Sequence, residues 1–577
     1  MPAAVNRHPA GKTPNKVAKR RLTIAAISLF TLPVLVGMAG ILVPAAGYFP
    51  VLGKTTLSIA PATQFLDTAG LAKAALLSLT TGLLATFLSV AGSFLLLVAC
   101  FNSWFFGWLH RLAGPLVAIP HAAVAIGIVF LLAPSGWLIR LLSPGLTGFD
   151  RPPVWSLVPD PHGLALIFGL MAKEIPFLLL IAMAATARLP VQRLADVATS
   201  LGYGRYTGWG LVILPSIYRQ VRLPIIAVLV FSLSVVDMAL LLAPTLPPPL
   251  SVLVLNGFYD ADLAARLPAS FGAVLQIGVA LCGVGMWLVG ERGAGGLAQF
   301  WARRGWRSVW LDRPLAALAS LACLPMAAAF FGLLAALIWS FAASWFFPDA
   351  LPSRFSLIHW QNWSGLGSLV WASGGLALSA SMLSLLMVCL WLYWLGPFAA
   401  NDKSIAIALF LPLLVPQVSF LFGLQMTLSW TGMDGTWPAL IYSHMIFIMP
   451  YTWMIMAPAF TAMDWRYDQV ATSLGKGMAA RVLGVQLPLL AYPIGTAVFI
   501  GVAVSVALYL PTVFVGGGRI STVTVEAVSL AAGGGRGDAG VAALLQILIP
   551  SAAFLVVQWG LKIRFGRFRA MQAGKRR

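Results

Sequence analysis

The stretch Val197-Ala198-Thr199-Ser200-Leu201-Gly202 returns as Val470-Ala471-Thr472-Ser473-Leu474-Gly475, 273 positions further along the chain. The match extends in register, because the pattern V-x-L-P at 212–215 recurs at 485–488. Both copies lie in polar, basic segments between long apolar runs. A polar element kept twice in one chain indicates two equivalent docking points for a partner with two equivalent halves.

The composition places the chain in a membrane. Of its 577 residues, 60% are hydrophobic and only 9% are charged, which is too little charge for the surface of a soluble protein of this size. The net charge of +20 is concentrated at the ends, because residues 1–21 carry six Lys or Arg and residues 562–577 carry seven, with no acid in either segment. Basic flanks of this kind are typical of the cytoplasmic ends of membrane helices, so we expect a lipid bilayer and no nucleic acid as the environment.

Apolar runs of roughly 20 residues predict transmembrane helices. The predicted spans are 22–46, 71–100, 111–133, 163–186, 223–244, 270–290, 315–341, 366–395, 404–429, 437–460, 491–514 and 540–562. The first run follows a basic tail, as a signal peptide would, but it is too long for one, so we expect a retained helix. The fold class predicted is therefore an all-α polytopic membrane protein with about twelve transmembrane helices.

The repeat divides these spans into two parallel six-helix halves. We expect a basic tail at 1–21, a first half at 22–300, a second half at 301–562 and a second basic tail at 563–577. The repeated elements fall between spans 4 and 5 and between spans 10 and 11. Lys and Arg are concentrated in the loops 187–222 and 291–314, so the positive-inside rule predicts that both termini and both repeated elements are cytoplasmic.

The repeated pattern resembles the cytoplasmic coupling motif of ABC-transporter permeases of the binding-protein-dependent import class. The family form is E-A-A, three residues, G, nine residues, I-x-L-P; here the acid position holds Asp196 in one copy and Gln469 in the other. The coupling positions carried over are Asp196, Val197, Ala198, Gly202, Leu214 and Pro215, and Gln469, Val470, Ala471, Gly475, Leu487 and Pro488. We expect each copy to form a short helix, with the glycine permitting a tight turn.

The resemblance extends over most of the chain, to fused two-half permeases such as those for ferric iron and thiamine. The segments 231–237 and 518–527 look most like a thiamine-permease-like branch. This implies one such chain in the inner membrane, two copies of a separate ATPase subunit and an extracytoplasmic substrate-binding protein. It also implies a thiamine-like substrate, ferric iron or another small cation.

The chain itself is expected to be a transport subunit and not an enzyme. The nearest approach to a phosphate-binding loop is Gly47 and Gly53-Lys54-Thr55, with five residues between the glycines where the motif needs four. ATP is therefore expected to be hydrolysed by the partner subunit, with no cofactor in this chain. The four cysteines lie in apolar runs without ligand spacing, so no metal site is expected.

Ionisable residues inside predicted spans are candidates for the translocation path. They are Lys173, Glu174, Asp237, His121 and His444. Lys173 and Glu174 are adjacent in span 4 and point in different directions, so Asp237 of span 5 is a possible partner for Lys173, leaving Glu174 for substrate or a gate. The alternative is an ion-paired set that only fixes helix packing. The second half has aromatic residues in place of a central acid, and an acidic half facing an aromatic half would suit a cation.

An ion-driven secondary transporter is the alternative function. Twelve spans in two parallel halves fit it, and Lys173, Glu174 and Asp237 would then form a proton relay. The two repeated polar elements favour the ABC permease, because an ion-driven carrier has no use for two matching docking elements.

Overall fold

The computed structural model describes residues 16–155, 157–361, 363–395 and 403–565. The prediction of an all-α polytopic membrane protein is confirmed. Ten described helices are long and apolar enough to cross a membrane, or up to twelve if each of two bent helix pairs counts as one span. Helices dominate because hydrocarbon offers no hydrogen-bonding partner, so a spanning segment must satisfy its backbone internally.

The helices up to residue 303 begin and end as follows. They are α1 (Lys16–Ala45), α2 (Ala60–Leu66), α3 (Leu71–Cys100), α4 (Trp104–Ala118), α5 (His121–Leu132), α6 (Trp137–Leu142), α7 (Leu164–Thr186), α8 (Val191–Ser200), α9 (Arg205–Gly208), α10 (Leu214–Ser234), α11 (Ala239–Leu242), α12 (Leu250–Phe258) and α13 (Arg266–Arg303). A π-helical segment, Trp209–Ile213, joins α9 to α10.

The remaining helices are α14 (Asp312–Leu321), α15 (Cys323–Ser340), α16 (Trp363–Leu395), α17 (Lys403–Leu414), α18 (Val418–Trp430), α19 (Trp437–Ala462), α20 (Arg466–Ser473), α21 (Met478–Arg481), α22 (Leu487–Leu489), α23 (Ala491–Ala507), α24 (Leu510–Gly516), α25 (Val523–Ala532) and α26 (Arg536–Phe565). A second π-helical segment, Val482–Gln486, joins α21 to α22. The strands β1 (Ala342–Ser344) and β2 (Arg354–Phe355) form a small antiparallel pair between α15 and α16.

Several predicted spans are broken. The span expected at 111–133 is divided between α4 and α5 at Ile119 and Pro120, since proline supplies no backbone donor. The span expected at 404–429 consists of α17 and α18, which are bent by 101°. The spans expected at 223–244 and 491–514 break after Ser234 and after Ala507. Apolar composition alone does not reveal these breaks, because each flanking piece is as hydrophobic as a continuous helix.

The same serine contact supports the short helix α12 and its counterpart α25. Ser78 Oγ of α3 accepts a hydrogen bond from the Leu250 amide at 2.9 Å, and Ser373 Oγ of α16 accepts one from the Val523 amide at 2.8 Å. Positions 250 and 523 differ by 273, the spacing of the repeated elements. Each hydroxyl satisfies a helix-start amide that has no partner within its own helix. The duplication seen in sequence therefore recurs in the buried polar contacts.

One helix of each half packs against a helix of the other half. Helix α1 packs on α18 and α15 packs on α5. Both crossings are made by glycines: a Cβ placed on Gly423 would lie 1.9 Å from Gly37 O, and one placed on Gly332 would lie 2.5 Å from Gly127 C. Small residues of this kind let membrane helices approach to backbone contact. The two crossings fix the halves against each other.

We expect Gly423→Ala to destabilise the fold, because backbone atoms fill the space that its methyl group needs. The expected loss is on the order of 1–3 kcal/mol, the usual range for overpacking. Thermal unfolding of the detergent-solubilised chain measures it. Gly374→Ala in α16 is the control, since nothing lies within 4 Å of the added Cβ. Equal unfolding midpoints for the two variants would contradict the close crossing.

Candidate functional site

The two repeated sequences form two equivalent short helices. Helix α8 follows α7, and α20 follows α19. Each ends before a glycine in the left-handed region, with φ +81° at Gly202 and +74° at Gly475, a conformation that favours glycine. The expectation of a short helix and a tight turn is met in both copies.

After the turn, each copy continues through a short helix and a π-helical segment into the Leu-Pro pair. Leu214-Pro215 begins α10, and Leu487-Pro488 begins α22. A proline ring collides with the carbonyl four residues earlier in a regular α-helix, which accounts for the wider π-helical turn before each proline. All twelve predicted coupling positions therefore fall in two matching helix–turn–helix units.

The helices α8 and α20 present apolar side chains to the exterior of the protein. Ala198 and Ala471 are buried against the body, whereas Val197 and Val470 are 57% and 59% exposed. Leu201 and Leu474 are also exposed, at 51% and 72%. Exposed apolar residues at equivalent places on otherwise polar helices mark an interaction surface.

The acid position of the motif differs between the copies. Asp196 Oδ1 accepts a hydrogen bond from Gln192 Nε2 at 2.8 Å on the surface of α8. At the start of α20, Arg466 donates to both carboxylate oxygens of Asp464, and this contact holds the pKa of Asp464 below its ordinary value. The two elements thus share a backbone path but differ in their charged contacts.

Sequence reasoning missed a buried polar group in the second element. Asp468 is 1% exposed, accepts a hydrogen bond from Gln486 Nε2 at 2.9 Å and lies 3.6 Å from Arg481 Nε. The corresponding first-copy positions are Ala195, Ile213 and Gly208. Aligning the copies would have revealed the group, because three positions become polar together.

Lys173 is placed at the break between α4 and α5. Its side chain is buried, and Nζ donates to the carbonyl oxygens of Leu116 at 3.0 Å and Val117 at 3.1 Å, and to that of Ile119. Residue 120 is proline and supplies no amide to the Leu116 carbonyl, so the ammonium group takes the place of the missing donor.

The expected ion pair between Lys173 and Asp237 is not formed. Among the described residues, no salt bridge within 4.0 Å joins the two side chains, although they are near enough to interact electrostatically. The carbonyls freed at the helix break compete successfully for the ammonium group, because three acceptors converge on it.

The acidic residues form a cluster with His121. Glu174 is buried, and its Oε1 lies 3.5 Å from His121 Nε2. Asp237 is buried in the break between α10 and α11 and interacts electrostatically with His121. The structure therefore brings four of the five predicted path residues together at two neighbouring helix breaks: Lys173, Glu174, Asp237 and His121.

The second half contributes tyrosines to this neighbourhood. Tyr451 of α19 is near enough to Glu174 to interact electrostatically, and Tyr509, at the break before α24, has the same relation to Asp237. The acids of one half therefore lie near tyrosines of the other.

His444 is hydrogen-bonded to two hydroxyl groups of the second half. Its Nδ1 is 2.8 Å from Ser505 Oγ and its Nε2 is 3.1 Å from Thr512 Oγ1, so both ring nitrogens are engaged. These contacts connect α19 to the helices on both sides of the break between α23 and α24. Within the described ranges, no hydrogen bond or ion pair connects His444 to Glu174, Asp237 or His121.

In the part of the chain that the structure describes, no group of three or more His, Cys, Asp or Glu side chains is arranged to hold a metal ion.

Comparison with known proteins supports the ABC permease class. The chain is 28% identical to the inner membrane ABC transporter permease protein YnjC of Escherichia coli (strain K12) over 460 residues, which are 78% of this chain and 81% of that protein. No family model matches, and no solved structure matches. The similarity supports a multi-pass inner-membrane protein; it supports neither the thiamine nor the ferric-iron branch.

Replacing Lys173 tests its assignment to the helix break. Lys173→Met removes the donor that three carbonyl oxygens share, at about 1–3 kcal/mol for a buried group left unsatisfied, so membrane abundance and the unfolding temperature should fall. Lys73→Met, on the exposed side of α3, is the control. Adding Asp237→Leu should give no recovery; full recovery of abundance in the double variant would contradict the assignment and favour a Lys173–Asp237 pair.

Proposed function

We propose that this chain is the permease subunit of an ABC importer, forming the translocation path and coupling it to ATP hydrolysis by separate ATPase subunits. The observation that carries the proposal is the pair of matching units built on α8 and α20. They share a sequence, a left-handed glycine, a π-helical segment and a Leu-Pro helix start. Two equivalent surfaces suit two copies of one ATPase.

The exposed apolar residues provide the contact with the ATPase. Val197 and Leu201 on the first unit, and Val470 and Leu474 on the second, are the side chains that such a partner would bury. The positive-inside rule, applied to the basic loops, supports a cytoplasmic location for these units, where ATP is available, and for both termini. A soluble extracytoplasmic binding protein delivers substrate from the opposite side.

The path runs beside the acidic cluster, and its substrate is a small cation. Glu174 and Asp237 are buried where helices of the first half are broken, and broken helices that line a cavity are a recurrent feature of membrane transport sites. Tyr451 and Tyr509 supply phenol oxygens and aromatic faces from the other half. The Lys173 ammonium, held by carbonyls, leaves the Glu174 carboxylate to His121 and to substrate.

Changing the exposed leucines tests the coupling surface. Leu201→Glu or Leu474→Glu places a charge in the proposed contact. The amount of ATPase subunit that co-purifies with the chain should therefore fall about tenfold or more, which corresponds to a loss of roughly 1.4 kcal/mol of binding free energy. Leu57→Glu is the matched control, because Leu57 is 78% exposed in the loop between α1 and α2. Equal recovery of the ATPase with all three variants would mean that these helices are not its docking surface.

Neutralising Glu174 tests the path. Glu174→Gln keeps a side-chain oxygen near His121, so membrane abundance should stay at the wild-type level. Loss of the carboxylate charge should reduce uptake of a cationic substrate by about tenfold or more. The substrate for the assay is the ligand that remains bound to the purified extracytoplasmic binding protein. Uptake that falls only in step with abundance would give Glu174 a packing role, and uptake that follows a proton gradient without ATP would favour the secondary transporter.

A further inference from the structure

Residues 304–312 form the joint between the two halves, and this joint lies against the first coupling unit. Asp312, at the start of α14, accepts hydrogen bonds from the backbone amides of Arg205 at 2.9 Å and Tyr206 at 3.1 Å. Thr207 Oγ1 donates to the Ser308 carbonyl at 2.9 Å. Three consecutive residues of the first unit are therefore bonded to the joint, about a hundred positions away in sequence.

The fit at this contact is close. A Cβ placed on Gly204 would lie 2.4 Å from Ser308 O, so only glycine allows the present separation of the two chains. The Arg205 side chain also donates to the carbonyls of Val98 at 2.8 Å and Phe101 at 2.9 Å, at the end of α3. The start of α9 is thereby held between α3 and the joint.

The second unit differs at the equivalent place. Gly477 precedes α21 as Gly204 precedes α9, but nothing lies within 4 Å of a Cβ placed there. The second unit instead contains the internal Asp468, Gln486 and Arg481 group.

We propose that residues 304–312 act as a brace, with Asp312 as a positioning residue that ties the first coupling unit to α14 and α15. Helix α15 packs against α5 and α7 of the first half and against α26 of the second, so the tie connects the unit to a helix shared by both halves. Motion of the first unit is transmitted through the brace as well as through α10, whereas the second unit relies on its own buried polar group. This proposal rests on the proposed coupling function.

Hydrogen exchange measures the brace without any partner protein. In the purified full chain, Asp312→Ala should speed exchange of the amides in residues 203–208 by about tenfold or more, because two charge-assisted hydrogen bonds are lost. Asp312→Asn retains a carbonyl acceptor and should give a smaller increase. Gly204→Ala should act like Asp312→Ala by forcing the chains apart, while Gly477→Ala, at the open equivalent position, should leave exchange in both units unchanged.

The coupling role is measured on the complex with its ATPase, as substrate taken up per ATP hydrolysed. Asp312→Ala and Gly204→Ala should lower this ratio several-fold and Asp312→Asn should restore part of it, whereas Gly374→Ala, at an open position in α16 outside both units, should match the wild type. Unchanged exchange in Asp312→Ala overturns the brace, and faster exchange with an unchanged ratio overturns its coupling role. ATP-independent uptake by the wild-type complex overturns the proposed function itself, and the exchange measurement separates that outcome from failure of the brace.

Discussion

Backbone groups exposed at helix breaks inside a membrane need hydrogen-bonding partners that the lipid cannot supply. The structure meets this need with side chains from neighbouring helices. Lys173 supplies a donor at the break between α4 and α5, and Ser78 and Ser373 supply acceptors at the starts of α12 and α25. His444 bridges the break between α23 and α24 through two hydroxyls. The broken helices, and the acidic cluster beside them, depend on these contacts.

The two halves have similar backbone arrangements but differ in their buried ionisable side chains. Both contain the glycine crossing, the serine contact and the helix–turn–helix unit. Only the first half has the buried acids Glu174 and Asp237, with tyrosines of the second half nearby. A duplicated backbone can hold an asymmetric site. The contacts that maintain the backbone involve few of the side chains that differ between the two halves.

The two helix–turn–helix units likewise share a backbone arrangement and differ in side-chain contacts. Their exposed apolar faces are equivalent, as two copies of one partner would require. Their internal supports are different, since Asp312 reaches the first unit from the joint and Asp468 stabilises the second from within. Under the proposed function, one kind of partner would bind two equivalent surfaces that are supported by different internal contacts.

The sequence by itself determined the membrane class, the duplication and the positions of both repeated helix–turn–helix elements. These follow from composition and from fixed spacings along the chain, which are local properties. It also identified the residues of the acidic cluster, because ionisable side chains are rare in apolar runs.

The tertiary structure decided which partners those residues take. Lys173 binds carbonyls 54 to 57 positions away instead of Asp237, His444 binds the hydroxyls of Ser505 and Thr512, and Asp312 bonds to amides 106 and 107 positions away. These contacts depend on where helices break and cross, and hydropathy does not register a break between two equally apolar pieces. Whether distant segments form a hydrogen bond depends on their geometry and on the free-energy cost of leaving a buried group unpaired. Neither can be read from the local sequence.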